Sequence, residues 1–424
     1  MAAAVALLAT PSAAARDGVD PAAPEPGTGT WSLAADAAPE GVDVSFDPGR
    51  GLDIASRDGA QALNLHARVQ LRQSVSTNAE DAVEQVFEIR RARVVLKGHT
   101  FGVHNRFKIE LAFSPRDLRV EDGVVTRTPL LSWYLELDHL RDLTLRAGQY
   151  KIPYSRQRVI SSGKQQLVDR SLANGEFNQD RDIGLDLRSY DLFGLDGRLR
   201  YYAGVYMGEG RDFGSGNATA DFALHYLGRL EVLPLGDFAD YREADLERHP
   251  NPKLSLGAAY AYLDDAQRLR GVLGERPEDG GTTDYHSANV DYVFKWRGLS
   301  SSGELLCRRG RRNEGPQADG QAEAPRNGFG GFIQTGYLVP GMPLEVAVRY
   351  SGVRGLGAFR SGRLDGADLD GATALDRRDR VATGLSYYFA GHPLKLQADL
   401  SSTWREGSAR QSERLGRLQL QLSL

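Results

Sequence analysis

From about residue 51 to residue 424, apolar side chains recur at every second position in segments of roughly ten residues, and this alternation constrains the chain more than any motif it carries. In 62–73, Leu63, Leu65, Val69 and Leu71 share one face, and Asn64, His66, Arg68, Gln70 and Arg72 share the other. Successive side chains of a strand point to opposite faces, so such a segment has one greasy and one wet side. Comparable segments lie at 86–97, 102–113, 130–138, 142–151, 181–190, 198–207, 221–233, 254–263, 284–296, 299–308, 329–339, 344–352, 378–389, 393–404 and 414–424. With the first they number sixteen, an even count, as a barrel with both ends of its chain on one side requires.

The connections sort by parity. Short ones fall at 99–101, 139–141, 191–197, 297–298, 340–343 and 390–392, and long ones at 114–129, 152–180, 264–283, 309–328 and 353–377. That is the rhythm of periplasmic turns and external loops. The connection at 234–252 falls on the short side yet is long, so it is either an enlarged periplasmic turn or a slip in the strand count. Tyr201, Tyr202, Tyr206, Tyr260, Tyr262, Tyr292, Phe294, Trp296, Tyr387, Tyr388 and Phe389 sit near segment ends, where interfacial girdles belong. The plainer alternative for these aromatics is the core of an all-β soluble fold. The expected fold is all-β: a sixteen-stranded antiparallel transmembrane β-barrel with short periplasmic turns and long extracellular loops.

Composition narrows the alternatives. Mean hydropathy is −0.41, and past the first dozen residues no stretch approaches the roughly 20 apolar residues of a spanning helix, which excludes a helical membrane protein. A net charge of −4, from 52 basic and 56 acidic residues, supplies no global field for nucleic acid. Cys307 is the sole cysteine, so no internal disulfide or cysteine metal site forms. Residues 1–15 read as a signal peptide with a truncated or misassigned start, the alternative being an Ala-rich tail of a cytosolic protein. Residues 16–50, rich in Pro, Ala, Gly and Asp, read as a flexible periplasmic linker, and 51–424 as the barrel domain.

Five strings resemble the phosphate-selective porin family of the O and P type: FEIRRARVVLKG at 87–98, LRAGQYKIPY at 145–154, DRDIGLDL at 180–187, GRLEVLP at 228–234 and GLSYYFAGHPLK at 384–395. The likeness runs in order from about residue 51 onward. It implies a barrel in the outer membrane of a Gram-negative bacterium, a homotrimer, and a constricted pore for inorganic phosphate, polyphosphate or other small anions. Outer-membrane lipid and lipopolysaccharide are the implied surroundings, and no cofactor, metal or catalytic step is implied. A ladder of pore arginines is not legible in these strings. Two other readings stay open: a plugged barrel whose external loops make it a surface binding protein or enzyme, and a secreted β-sandwich binding protein.

If the apolar faces meet lipid, Arg68, Arg72, Arg91, Arg93, Arg106 and Lys108 line the lumen as an electropositive wall, diluted by Glu88 and Glu110. Phe87 and Ile89 share the parity of Arg91 and Arg93, which a bulge or a change of depth must reconcile, and Arg90 is expected to point away, near the headgroups. The resemblance makes 151–170 the constriction loop, with Lys151, Arg156, Arg158, Ser161, Ser162, Lys164 and Arg170 supplying charge and hydroxyls, and Asp169 and Glu176 balancing them. The plainer alternative is an external loop, and strands whose charges are simply solvated or interlocked with acids. Arg308, Arg309, Arg311 and Arg312 read as a solvated external cluster. Asp365, Asp368, Asp370 and Asp376 lack the spacing of a calcium loop, and neither a zinc motif, a nucleophile elbow nor a P-loop occurs.

Overall fold

A computed structural model of the chain describes residues 41–77, 82–121, 124–212, 223–313, 315, 324–356, 375–405 and 412–424. Its strands are β1 (Val42–Asp47), β2 (Gly51–Ser56), β3 (Ala62–Thr77), β4 (Val83–His99), β5 (Asn105–Ala112), the short pair β6 (Val120–Glu121) and β7 (Val124–Val125), then β8 (Leu130–Leu140), β9 (Leu143–Lys151), β10 (Arg181–Ser189), β11 (Leu199–Tyr206) and β12 (His225–Val232). They continue as β13 (Lys253–Ala266), β14 (Thr282–Trp296), β15 (Leu299–Asn313), β16 (Gly328–Leu338), β17 (Leu344–Gly355), β18 (Arg378–Ala390), β19 (Leu394–Arg405) and β20 (Ser412–Ser423). Among the described residues three short α-helices, α1 (Pro115–Leu118), α2 (Arg156–Val159) and α3 (Leu172–Phe177), lie in connections.

Strands β3, β4, β5 and β8 through β20 each pair antiparallel with the next, and β20 returns to β3 with Leu420 opposite Leu71, closing a barrel of sixteen. Closure removes the sheet edge and pairs every ladder within the protein, the condition for strands in hydrocarbon. Each of the sixteen alternating segments holds one barrel strand. Burial follows parity: on β12, His225, Leu227, Arg229 and Glu231 are enclosed, while Tyr226, Leu230 and Val232 face outward. One two-residue periplasmic turn, Arg297-Gly298 between β14 and β15, has φ of 50° and 89°, the two left-handed positions of a two-residue hairpin.

β1 and the turn after it occupy residues 42–50, read as the end of a flexible linker, and β2 opens the segment read as the barrel; residues 1–40, the expected signal peptide and most of the expected linker, lie outside the described residues. β2 pairs with β3 at Leu52↔Leu65 and Ile54↔Leu63, on the flank that β20 occupies only from Ser423↔Arg68 onward. It therefore continues the sheet where β20 stops. The long connection before β13 is an enlarged periplasmic turn, not a miscounted strand. It folds into the barrel, with Asp240, Tyr241, Glu243 and Asp245 buried.

Candidate functional site

The loop between β9 and β10 turns inward and fills much of the lumen. Ser155 accepts from the Arg158 amide and Ser171 from the Asn174 amide, so serines cap α2 and α3 where the backbone would otherwise be unsatisfied. The loop's apolar side chains, Ile152, Tyr154, Ile160, Leu167, Val168, Ala173 and Phe177, are buried rather than left in water. Two wall glycines clear their seat: a Cβ on Gly336 would stand 2.1 Å from Gln166 Nε2, and one on Gly384 would stand 2.5 Å from Leu167 Cδ2.

Charge holds the loop against the wall and the inserted turn. Arg156 donates to Asp291 at 2.5 Å and to Asp240 at 2.6 Å, approaches Glu231 at 3.4 Å, and lies 4.9 Å over the Tyr241 ring. The Gln166 amide donates to Glu243 at 2.8 Å, and the Glu243 amide donates to the Lys164 carbonyl at 3.1 Å. Inward side chains of the far wall are sealed beneath this assembly; Asp186, Arg188, Glu231, Ser255, Glu345 and Lys395 are all 0 % exposed. Arg93 on β4, Arg106 and Lys108 on β5, and Lys151, Arg158, Lys164 and Arg170 at the loop retain partial exposure, while Arg90 and Arg91 are buried.

At the seam between loop and wall the expected residues meet. Arg68 donates to Ser161 at 2.8 Å and to Ser162 at 3.2 Å. Lys151 Nζ donates to the carbonyls of Val159 at 3.1 Å and Ile160 at 3.4 Å. Arg170 donates to the carbonyls of Gln157 at 2.8 Å and Ile160 at 2.6 Å. These three cations are held by neutral oxygens. Arg72 reaches Asp169 at 3.3 Å and Gln419 at 3.0 Å, while Arg91 donates to Gln70 at 2.8 Å and stands 3.8 Å from Asp169. Arg93 is spent on Asp117 and Glu110, each at 3.1 Å. Arg106, nearer the periplasmic end, pairs with Glu136 at 2.7 Å and Asp138 at 2.6 Å, and Lys108 lies between Arg106 and Glu110 on the same inward face of β5. Thus the alternative of interlocked charges describes Arg93 and Arg106, and not Arg68, Lys151 or Arg170.

Arg90 contradicts the expectation of a headgroup position. Gln70 pairs with Arg91 and Leu71 with Ile89, so Arg90 is the extra residue of a bulge. It turns inward and donates to Asp169 at 3.0 Å, while Phe87 and Ile89 fall on the outer face. The external arginine cluster also divides by parity: Arg308 and Arg312 are buried on Glu176 and Asp279, and Arg309 and Arg311 face outward. Of the aspartates read against a calcium loop, Asp365, Asp368 and Asp370 lie outside the described residues.

Sequence reading missed Arg116 and Arg417, at 4.0 and 3.8 Å from Asp169, and Asp399, at 2.7 Å from Arg417. Parity in the last segment, where Arg417, Gln419 and Gln421 alternate with leucines, was a usable signal for Arg417. Arg116 in its external loop offered none. Burial opposes the charge of Asp169, but Arg91, Arg72, Arg90 and Arg417 outweigh it and hold the carboxyl well below its ordinary range. The same contest, with Arg326 and Arg308 as partners, holds Glu176 at about 2. Burial, with Arg158 as a like-charged neighbour, pushes Arg170 down to about 9.

A family model described as phosphate-selective porin O and P matches residues 62–422. An uncharacterized protein of Aquifex aeolicus is 25 % identical over 284 residues, 62 % of this chain and 60 % of that protein, so the match spans less than two thirds of the relative. Among solved structures, a loop L8 deletion mutant of OmpT, an outer membrane protein of Vibrio cholerae, has 11 % identity and a TM-score of 0.53, covering 86 % of this chain and 100 % of that one. Salmonella typhi OmpF in complex with daunomycin has 14 % identity and a TM-score of 0.53, with coverage of 86 % and 98 %. The outer membrane channel DcaP of Acinetobacter baumannii has 10 % identity and a TM-score of 0.51, with coverage of 86 % and 98 %. At these identities the likeness concerns the fold alone.

Proposed function

This chain belongs to the phosphate-selective porin O and P family and to the outer membrane of a Gram-negative bacterium, and from that premise we propose that it is a passive, water-filled channel biased toward small anions such as phosphate. The observation that carries the reading is the neutral anchoring of Arg68, Lys151 and Arg170, with which no carboxylate among the described residues pairs directly. An anion entering the seam exchanges its water for guanidinium, ammonium and hydroxyl donors, and Ser161, Ser162 and Lys164 extend that set. Passage needs binding strong enough to strip water and weak enough to release. Arg72 and Arg91 lie next along the same wall, while Arg93, Arg106 and Lys108 continue it alongside acids that limit the depth of the well. A homotrimer is part of the proposal; one of the similar structures is the trimer form of Vibrio cholerae OmpT.

The test is a planar-bilayer recording in a potassium chloride gradient, followed by titration with phosphate. Anion-selective reversal potential and block of the chloride current by phosphate are expected; a cation-selective or unselective pore overturns the reading. The tight enclosure of the far lumen wall favours a second reading, the plugged barrel that works through its external loops. Its signature in the same recording is insertion without current.

A further inference from the structure

We propose that Asp169 is a tethered stand-in for the permeating anion, occupying an oxyanion site that it must vacate for each transit; this rests on the channel reading above. Five guanidinium groups surround the carboxylate: Arg90 at 3.0 Å, Arg72 at 3.3 Å, Arg91 and Arg417 at 3.8 Å, and Arg116 at 4.0 Å. Arg90 and Arg72 hydrogen-bond to it; the other three stand at ion-pair distance and beyond hydrogen-bond reach. Two carboxylate oxygens cannot satisfy five planar forks. Neighbouring acids do not close the gap, since Glu88 pairs with Arg90 and Asp399 with Arg417, leaving five cations against three carboxylates among the described residues. The Nε of Arg90 is buried without a hydrogen-bond partner.

The geometry also says which partner is replaceable. Side chains of Arg72, Arg417, Arg91 and Arg90 are 4, 7, 8 and 10 % exposed, whereas Asp169 is 22 % exposed and Arg116 53 %. The carboxylate thus sits on the water side of four buried cations that the wall strands β3, β4 and β20 fix in place. It arrives there on the loop, and leaves by side-chain rotation without disturbing the barrel. A tetrahedral oxyanion, with more oxygens in three dimensions, reaches the distant forks that a planar carboxylate leaves at 3.8 to 4.0 Å. By competing for the site, Asp169 turns what would be a trap into a station.

The experiment records single-channel chloride current in bilayers while inorganic phosphate is titrated. Apparent affinity is the intrinsic value reduced by the fraction of time the site is vacant, so Asp169→Asn is expected to lower the half-blocking phosphate concentration by about tenfold and lengthen each block. Asp169→Glu, which keeps the tethered charge, is expected to stay near the wild-type value. Acetate, a free carboxylate, is expected to relieve phosphate block in Asp169→Asn more than in the wild type. Arg116→Gln, at an exposed position, is expected to raise the half-blocking concentration about threefold and keeps the proposal testable if Asp169→Asn fails to assemble. An anion-selective wild type with unchanged half-block in Asp169→Asn, or in Arg116→Gln, overturns the proposal and leaves the channel reading standing. A wild type without anion preference overturns both.

Discussion

Replacing Arg156 by Gln strikes the joint where the inward loop between β9 and β10, the inserted periplasmic turn and the barrel wall meet. The guanidinium is 2 % exposed and touches Asp291, Asp240 and Glu231, carboxylates that are themselves 0 to 3 % exposed. Their other cations are Arg229, at 2.7 Å from Asp291 and 2.8 Å from Glu231, and Arg200, at 3.2 Å from Asp240. The substitution therefore strands three buried carboxylates against two guanidiniums. Breaking a buried pair from one side costs about 3–5 kcal/mol, because the remaining charge is left desolvated. The barrel is held by its continuous ladder, so the cost is relieved locally by the loop and the turn. At 1.4 kcal/mol per tenfold, that moves the docked-to-undocked ratio by roughly two to three and a half powers of ten. Single-channel recordings are expected to show larger mean conductance and more open-channel noise, with heat-modifiable gel mobility retained as the sign of a folded barrel. Adding Asp240→Asn removes one stranded carboxylate and should restore part of the loss, with a coupling of about 0.5–3 kcal/mol between the two sites. A folded Arg156→Gln barrel with wild-type conductance and noise would refute the reasoning.

Three further outcomes are expected. Neutralising Arg91 and Arg93 together removes two cations and strands Asp117 and Glu110, so the reversal potential in a salt gradient shifts toward cation preference; an unmoved potential removes both residues from the selectivity argument. Gly384→Val drives methyls into Leu167, whose Cδ2 already lies 2.5 Å from the Cβ position, and overpacking of about 1–3 kcal/mol should unseat the loop and speed its proteolysis while the barrel persists. His249 is raised from 6.5 to about 9 because its ring N–H groups donate to the Asp245 and Glu247 carboxylates. A folded value above the unfolded one stabilises fully below the unfolded value and fades as pH rises through the folded one. The inserted turn should therefore loosen as pH climbs toward about 10, seen as growing channel noise, and His249→Gln should flatten that dependence.

Legibility was uneven for physical reasons. Strand positions and most inward faces are readable because side-chain direction in a strand is set by parity, and Arg68 and Arg72 need nothing more. The parity conflict of Phe87 and Ile89 even demanded an irregularity, and Gln70↔Arg91 beside Leu71↔Ile89 shows it as a bulge. Arg90 was misplaced because one inserted residue flips a side chain to the other face, and alternation does not say which residue is extra. By composition Arg308, Arg309, Arg311 and Arg312 read as one solvated cluster, but strand parity sends Arg308 and Arg312 inward and Arg309 and Arg311 outward.

What the amino-acid order determined by itself was local and periodic: sixteen two-faced strands, their up-and-down succession, and the solvent each face would tolerate. Which charges cancel was decided only in three dimensions. Asp169 meets Arg72, Arg417 and Arg116, and Arg156 meets Asp240 and Asp291, across long stretches of chain. A carboxylate's neighbours depend on where a loop lands within a closed wall. That landing follows from the fit of Leu167 and Gln166 over small residues such as Gly384 and Gly336, a packing property with no periodic trace in the sequence.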